Sequence, residues 1–410
     1  MKFRNRQIAR NQRGPLRTMF VITSMPVGGA ETLLVNMMDR FDPTMIAPEV
    51  CCLKEPGPLG LQIQSRFPVH SNLLSSKYDL RIAPRLVRLF RQRQIDAVVT
   101  VGAGDKMFWG RLAAWIAGVP AIASALHSTG WPDGVGRLNR LLTPLTDAFI
   151  GVADSHARHL RDREGFPTRK VFAIRNGVDV QRFAPDETAT ADVRRELNIP
   201  ADAPLGIIVA ALRPEKNHAM FVDVARRVNR HVPSAHWLIV GDGPERTTIE
   251  SACKTHCMTE NIHLLGTRHD THRLLAAANV FLLTSHNEAS PVSILEALAT
   301  QTPAVSTNVG SVGETVIDNE TGFLIEPGDA ESMAHRVTEL MTDHQLASRL
   351  GRQGRQRVID TGSLESMVHG YETLLAQLYD ARVKLPLRSR PPVRRHFFPR
   401  AFSIEQASDR

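Results

Sequence analysis

One pattern constrains this chain more than any other: short apolar runs alternate with longer stretches at helical spacing, in two successive series. A run that is apolar throughout belongs to a strand covered on both faces. Sheets covered on both faces are parallel, because the crossovers supply the covering helices. The first series predicts strands at Met19–Ser24, Glu49–Leu53, Ala97–Val101, Ala121–Leu126, Ala148–Val152 and Lys170–Ile174, with helices at Glu31–Arg40, Ile82–Arg93 and Met107–Ala117. A polar stretch from Val180 to Pro204, holding Pro185 and Pro200, then breaks the rhythm. The second series predicts strands at Leu205–Ala211, His236–Val240, Ile262–Leu265, Val280–Thr284, Ala304–Ser306 and Gly322–Ile325. Its helices are expected at Met220–Arg230, Glu245–Cys257, Thr271–Ala277 and Pro291–Ala299, and a helical stretch over Ala330–Asp380 closes the chain.

The expected fold is therefore α/β, with two Rossmann-like domains whose parallel sheets face a central cleft. Ligands of such sheets bind beyond the carboxyl ends of the strands. The expected layout is a basic tail at 1–17, a first domain at 18–179, a linker at 180–204, a second domain at 205–350, a helical segment at 351–380 and a basic tail at 381–410.

Charge is unevenly placed. Lys and Arg number 50 against 42 Asp and Glu. Residues 1–17 carry Lys2, Arg4, Arg6, Arg10, Arg13 and Arg17 with no acid, and residues 381–410 carry eight bases against Glu405 and Asp409. The surplus thus sits in two tails around a mildly acidic body. No apolar run nears the ~18–20 residues of a bilayer span. Met19-Phe20-Val21-Ile22 behind a basic start imitates an export signal, but it is short and leads into Gly28-Gly29-Ala30-Glu31 instead of a cleavage site. Four cysteines are too few for a disulfide scaffold. Cys51-Cys52 read as part of a buried strand. Cys253 and Cys257, with His256 between them, lack the second half of a metal site, so no metal is expected. A cytoplasmic, reducing setting fits this pattern.

The loops after the strands carry the chemistry. Neither a G-x-G-x-x-G fingerprint nor a P-loop occurs, which removes support for ordinary dinucleotide or P-loop chemistry. Gly28-Gly29 after the first strand is either a tight turn or a place where backbone N–H groups approach an anion. Arg213 and Lys216, held around Pro214, either clamp a diphosphate or decorate a solvated loop. Gly241-Asp242-Gly243-Pro244 is a sharp turn that brings backbone close to a neighbour. In Ser285–Ala297, Ser290 and Pro291 read as the cap and first residue of a helix that aims its free N–H groups at the cleft. Glu288 precedes that helix and Glu296 lies in its second turn, where a carboxylate can accept from paired sugar hydroxyls.

Taken in order, these residues resemble the retaining glycosyltransferases of family 4, which have the GT-B fold. The resemblance spans most of residues 18–380. It rests on Gly-Gly-Ala-Glu at 28–31, Arg-Asn-Gly-Val-Asp at 175–179, Arg-Pro-Glu-Lys-Asn at 213–217 and Gly-Asp-Gly-Pro at 241–244. The Glu288-to-Glu296 element and Thr-Gly-Phe-Leu-Ile at 321–325 with Pro-Gly-Asp at 327–329 complete it. It implies that Arg213 and Lys216 bind the diphosphate, that Glu296 holds the ribose hydroxyls and that Glu288 meets the donor sugar. It further implies that Ser290, Pro291 and Val292 lie near sugar and phosphate, that Gly28 and Gly29 close over the diphosphate, and that Gly241 and Gly243 belong to the donor site. His127 is placed at the reacting centre, and Thr267 and Arg268 where backbone meets the base. The pattern departs from the family at Ala289 and at Ala210-Ala211, where glycines are usual.

The resemblance implies transfer of a sugar from a UDP- or GDP-sugar, with no cofactor, to a saccharide or lipid-linked acceptor in surface or exported polysaccharide synthesis. The first domain would take the acceptor and the second the donor. Residues 81–93 add a second feature: Ile82, Leu86, Leu89 and Phe90 form an apolar stripe, and Arg81, Arg85 and Arg88 a basic one. Such a helix covers a sheet or, together with the tails, meets an anionic membrane surface. Rival readings are another enzyme on the same fold, such as a sugar-nucleotide epimerase or a phosphorylase, and a nucleic-acid-binding protein using the tails. The acidic body disfavours nucleic acid.

Overall fold

A computed structural model describes residues 14–76, 79–102, 105–127 and 140–383. Most of both basic tails, and Ser128 beside His127, lie outside the described residues.

The first sheet has seven strands: β1 (Leu16–Ile22), β2 (Ile46–Cys52), β3 (Val69–His70), β4 (Ala97–Val101), β5 (Ala121–Leu126), β6 (Ala148–Gly151) and β7 (Val171–Ala173), ordered β3-β2-β1-β4-β5-β6-β7. The second has six: β8 (Leu205–Val209), β9 (His236–Val240), β10 (Ile262–Gly266), β11 (Val280–Leu283), β12 (Ala304–Thr307) and β13 (Gly322–Ile325), ordered β10-β9-β8-β11-β12-β13. Every pairing is parallel. The order reverses between β1 and β4 and again between β8 and β11, and such switch points open crevices for ligands.

In the first half, helices α1 (Gly29–Arg40), α2 (Gly57–Ile63), α3 (Ile82–Gln92), α4 (Asp105–Ala117) and α5 (Asp154–Asp162) accompany the strands. The polar stretch after it carries α6 (Glu187–Glu196). The second half has α7 (His218–Asn229), α8 (Arg246–Thr255), α9 (Thr271–Ala277), α10 (Val292–Ala299) and α11 (Val312–Thr315), followed by α12 (Ala330–Thr342), α13 (His344–Thr361) and α14 (Leu364–Val383). All five residues of β4 and all six of β5 are buried, and the one polar residue in each, Thr100 and Ser124, is satisfied by a hydrogen bond between their hydroxyls at 2.7 Å, which is why these strands read as apolar runs.

Several expectations change. β1 starts at Leu16, inside the segment read as tail, and β3 was too short to show in the pattern. The stretch read as a linker is packed: Phe183, Val193, Ile199 and Ala203 are buried with the second sheet, and Arg355 of α13 donates to the Phe183 and Val180 carbonyls. The closing helical stretch is three helices, and the last returns to the first half. Met367, Tyr371, Leu374, Leu375 and Leu378 of α14 join Phe20, Val99, Ala123 and Ile150 in one core. Each fully buried side chain of that size contributes about 1.5–3 kcal/mol, so α14 belongs energetically to the first sheet.

The two connections between the halves run side by side. The Val178 N–H donates to the Gly362 carbonyl at 2.9 Å, and the Leu364 N–H returns the bond to Val178 at 2.9 Å. The Arg-Asn-Gly-Val-Asp run is thus the crossing point of the chain. On α3, Ile82, Leu86 and Phe90 are buried as the stripe predicts, but Arg81 and Arg85 are tied to Asp79 at 2.9 and 2.8 Å. Among the described residues no helix is long and apolar enough to cross a membrane.

Candidate active site

The carboxyl ends of β8 and β11, at the second switch point, bring the two most informative loops together. After β8 the chain runs through Arg213 into a short turn of 3₁₀ helix over Pro214–Lys216, and Asn217, in left-handed backbone, caps α7. After β11, the Thr284 hydroxyl donates to the Lys216 and Asn217 carbonyls, both at 3.0 Å, and the His286 N–H donates to the Glu215 carbonyl at 2.9 Å. The Gly-Asp-Gly-Pro turn explains itself here. Gly241 and Gly243 have φ of +142° and +159°, and a Cβ on either would strike the Ala210 or Leu212 carbonyl. The turn therefore props the loop that carries the cations.

Within this frame Lys216, Ser285 and Glu288 form one group. The Lys216 ammonium and the Ser285 hydroxyl both donate to Oε1 of Glu288, at 2.6 and 2.7 Å, and Glu288 is buried. Arg213 is more open, with its nearest acid, Glu215, 4.0 Å away. His218, the first residue of α7, is buried, and burial with the Lys216 charge beside it pushes its pKa down to about 4. It therefore adds no positive charge at neutral pH.

A third loop, after β12, fixes Glu288 from behind. Gly310 has φ +58°, and a Cβ there would collide with the Glu288 carbonyl. The Ser311 hydroxyl donates to the Ala289 carbonyl, and that of Thr307 to the Ser285 carbonyl at 2.7 Å. Neither Gly310 nor Ser311 stood out in the sequence. Only the glycine, a few residues beyond a strand, could have hinted at it.

The helix start differs from expectation. Pro291 occupies the cap position with extended backbone (ψ 113°), α10 begins at Val292, and no side chain caps it. Ser290 does not act as the cap; its carbonyl accepts from the Asn176 amide of the first half at 3.0 Å. The first N–H groups of α10 thus point toward the loop of Glu288 without a side-chain partner of their own.

Glu296 lies one turn further along α10. By surface area it is only half-buried, yet its carboxyl is crowded by protein, and burial pushes its pKa up to about 7 against an opposing pull from Arg182. Arg268 is committed elsewhere: it grips Asp270 at 2.8 Å and Glu196 at 2.7 Å, pairs that raise its pKa further. Its side chain is therefore a bracket of the β10–α9 loop, while Thr267 beside it is exposed.

The remaining expected residues stand on the other half. Gly29 is the first residue of α1 and Gly28 its cap position, again with no side-chain cap, although Glu31 Oε2 lies only 2.6 Å from where a Cβ of Gly28 would be. His127 follows β5 and lines a small cavity with Ala30, Leu34, Met367 and Tyr371. Glu314 of α11 reaches across the junction: its carboxylate accepts from the Asp154 N–H at 2.9 Å and from the Ser155 N–H, at the start of α5. Arg175, Asn176, Ser290, Glu314 and Arg357 line a cavity of about 20 Å³ at that junction. Cys253 is buried and Cys257 exposed in left-handed backbone, so the two do not share a corner. Among the described residues no group of three or more His, Cys, Asp or Glu could hold a metal ion.

Comparison with known proteins agrees with this architecture. Residues 27–182 match the family described as Glycosyltransferase Family 4, and residues 190–357 match Glycosyl transferases group 1. The chain is 25% identical over 338 residues to a UDP-Gal:alpha-D-GlcNAc-diphosphoundecaprenol alpha-1,3-galactosyltransferase of Escherichia coli, covering 78% of this chain and 85% of that one. It is 26% identical over 304 residues to an N-acetyl-alpha-D-glucosaminyl L-malate synthase of Bacillus anthracis, covering 72% and 78%. Among solved structures, Anabaena Alr3699/HepE in complex with UDP and glucose superposes with a TM-score of 0.79 at 18% identity, over 88% of this chain and 99% of that one. With both halves matched in order on a fold of this kind, the chain belongs to the group 1 glycosyltransferases of family 4.

Proposed function

We propose that this glycosyltransferase moves a sugar, with retention of configuration and without a metal ion, from a nucleotide-diphosphate donor to a saccharide or lipid-linked acceptor. UDP- and GDP-sugars are the donor classes, and synthesis of a surface or exported polysaccharide is the setting. The observation that carries the reading is the Lys216–Ser285–Glu288 group at the second switch point, beside the uncapped start of α10.

As the anomeric C–O bond breaks, negative charge grows on the departing diphosphate. In this reading Lys216, the exposed Arg213 and the N–H groups of α10 receive that charge, and the start of α1 adds a second set from across the cleft. Lys216 then exchanges part of its contact with Glu288 for phosphate oxygen. Glu288 in turn becomes free to accept from donor-sugar hydroxyls. Glu296 accepts from the ribose hydroxyls, which replace the hydration its carboxylate has lost. Retention follows if the acceptor hydroxyl attacks from the face the diphosphate leaves, with His127 close to that centre. Support for the acceptor class comes from the Escherichia coli relative, whose name specifies a diphosphoundecaprenol-linked sugar.

The test is a thermal-shift panel of nucleotide-diphosphate sugars. A ligand present at about 100 times its dissociation constant stabilises the folded chain by ~2.7 kcal/mol. A selective shift with one sugar nucleotide, followed by free nucleotide diphosphate and an axially linked product on adding acceptor, is the expected result. No shift with any donor overturns the reading. Interconversion of the sugar nucleotide without release of diphosphate favours an epimerase instead. Chelator should leave turnover unchanged.

A further inference from the structure

The two connections between the halves, joined where Val178 bonds to Gly362 and Leu364, stand beside a polar cavity. Asn176 precedes that point on the first connection and Arg357 precedes it on the second, and both line the cavity of about 20 Å³. Asn176 is 5% exposed. Its amide N–H donates to the Ser290 carbonyl at 3.0 Å, which sets the orientation of the group, since the reverse would place two oxygens face to face. The other end, Oδ1, is buried without a protein partner, and so is Nε of Arg357. The remainder of the Arg357 head is committed, with a terminal N–H donating to the Glu314 carbonyl at 2.6 Å.

Buried polar atoms of folded proteins find partners in protein or in ordered water. One acceptor and one donor on the wall of the same small cavity define what fits between them. An anion would suit the Arg357 N–H but would meet Asn176 Oδ1 and the Glu314 carboxylate. A cation would suit Oδ1 but would meet Arg357 and Arg175. Water accepts from the one and donates to the other, and the volume is what a single water molecule needs. Glu314 and Thr361, also on the wall, carry further acceptor oxygens. Arg175 does not compete for the place, because its guanidinium is turned onto Asp154 at 3.1 Å.

We propose that one ordered water molecule occupies this cavity as a fixed part of the junction, and that Asn176, held by it, is a positioning residue. Through its amide Asn176 sets Ser290, which stands two residues after Glu288 and two before the start of α10. The water thereby ties both connections to the loop that carries Glu288. The positioning role rests on the reading of that loop as the donor loop, whereas the water site does not.

The test combines crystallography of the full chain with two variants. In the wild type a single water peak within about 3.2 Å of both Arg357 Nε and Asn176 Oδ1 is expected, unchanged after a bromide soak. Bromide or phosphate density at that place, or direct pairing of the two side chains with no peak, overturns the water site. Asn176→Ala should speed amide hydrogen exchange of residues 285–295 about tenfold in the ligand-free protein, with exchange in β8 and β11 and the melting temperature close to wild type. The KM for the sugar nucleotide should rise about tenfold at unchanged kcat, because an unordered loop burdens ground state and transition state alike. Arg357→Lys keeps the charge and the reach to the Glu314 carbonyl but lacks the Nε–H. It should lose the water peak and raise both exchange and KM by about threefold. Wild-type exchange of the segment in both variants, or a fall in kcat at unchanged KM, overturns the positioning role. Crystal and exchange readouts need no donor, so a chain that responds to no sugar nucleotide would refute the transferase reading and leave the water site and the loop contact standing.

Discussion

Glu296→Gln should make the protein more stable and a worse nucleotide binder, with a pH dependence that identifies the cause. Burial raises the Glu296 carboxyl from 4.5 to about 7. In the unfolded chain it titrates near its ordinary value. Between those two pH values the folded state therefore holds one more proton than the unfolded state, and stability falls as pH rises. Below about 4.5 both states are protonated and the carboxyl carries no penalty; above about 7 the folded protein bears the whole cost of an ionised, crowded carboxylate. At 1.36 kcal/mol per pKa unit that cost is about 3 kcal/mol, an upper bound because Glu296 keeps some contact with water. Glutamine preserves the shape without the charge. In a folding unit of roughly 150–250 residues the relief corresponds to a rise of about 6–12 °C in Tm. The assay is differential scanning fluorimetry of both proteins from pH 4 to pH 9, alone and with UDP or GDP. The Tm curves should coincide at the acid end and separate as pH climbs to about 7. Affinity of the variant for whichever of the two stabilises the wild type should fall by one to two orders of magnitude, the scale of hydrogen bonds lost to a charged acceptor. A Tm difference that is the same at every pH, or absent at pH 8, refutes the assignment of strain to this carboxyl.

Three further changes probe the rest of the site. Lys216→Ala should keep the fold and lower turnover by roughly two orders of magnitude, the scale for one preorganised charge contact, so wild-type turnover in a folded variant would sink the clamp. Gly310→Ala places a Cβ against the Glu288 carbonyl in left-handed backbone and should cost more than about 2 kcal/mol in chemical denaturation, with turnover falling alongside. An unchanged denaturation midpoint would show that the loop can relax. Glu314→Ala removes the carboxylate that caps α5 from the opposite half, a loss of about 1–2 kcal/mol. It should also broaden the distribution of particle dimensions in solution X-ray scattering, and an unchanged profile with an unchanged melt would contradict that role.

The central strands β4, β5, β8 and β11 were legible because they are buried almost throughout, which leaves a mainly apolar run. β3 escaped because Val69 and His70 are only half-buried and pair with just two residues of β2. The cations and Glu288 were legible as loop residues, since the two loops that meet at a switch point follow strands the pattern had already located. What holds them was not. Gly310 supports Glu288 from 22 positions further along the chain, and Glu314 caps a helix 160 residues earlier. No local spacing encodes contacts at that range. Ser290 shows a different failure: a serine before proline reads as a cap, but Asn176 takes its carbonyl and shifts the helix start to Val292. On α3 the sequence offered a basic stripe, and Asp79 just upstream neutralised its first half.

The interactions that link the halves suggest why the site is divided between them. The apolar packing is one-sided: α14, though it follows the second half in sequence, is buried against the first sheet. Across the junction near the loops before α10 the hydrogen bonds run from Asn176 to Ser290 and from the start of α5 to Glu314, and Val292 of α10 adds one partly buried apolar side chain packed against the first core. A polar contact of this kind is worth about 1 kcal/mol net and can be exchanged for water, whereas separating an apolar core costs several times more. The side-by-side crossing at Val178 and Gly362–Leu364 leaves only two chain segments to flex. Rotation there would carry Lys216, Glu288 and α10 as one block past His127 and Gly29, drawing Val292 from the edge of the first core and leaving the rest of both cores closed. One polar contact ends on the loop that precedes α10 and the other on α11, directly after the loop that braces Glu288, so a donor seated as proposed would alter the same few bonds that set the angle between the halves. On that proposal binding would be coupled to closure through a small, replaceable set of hydrogen bonds, with most of the apolar surface left undisturbed.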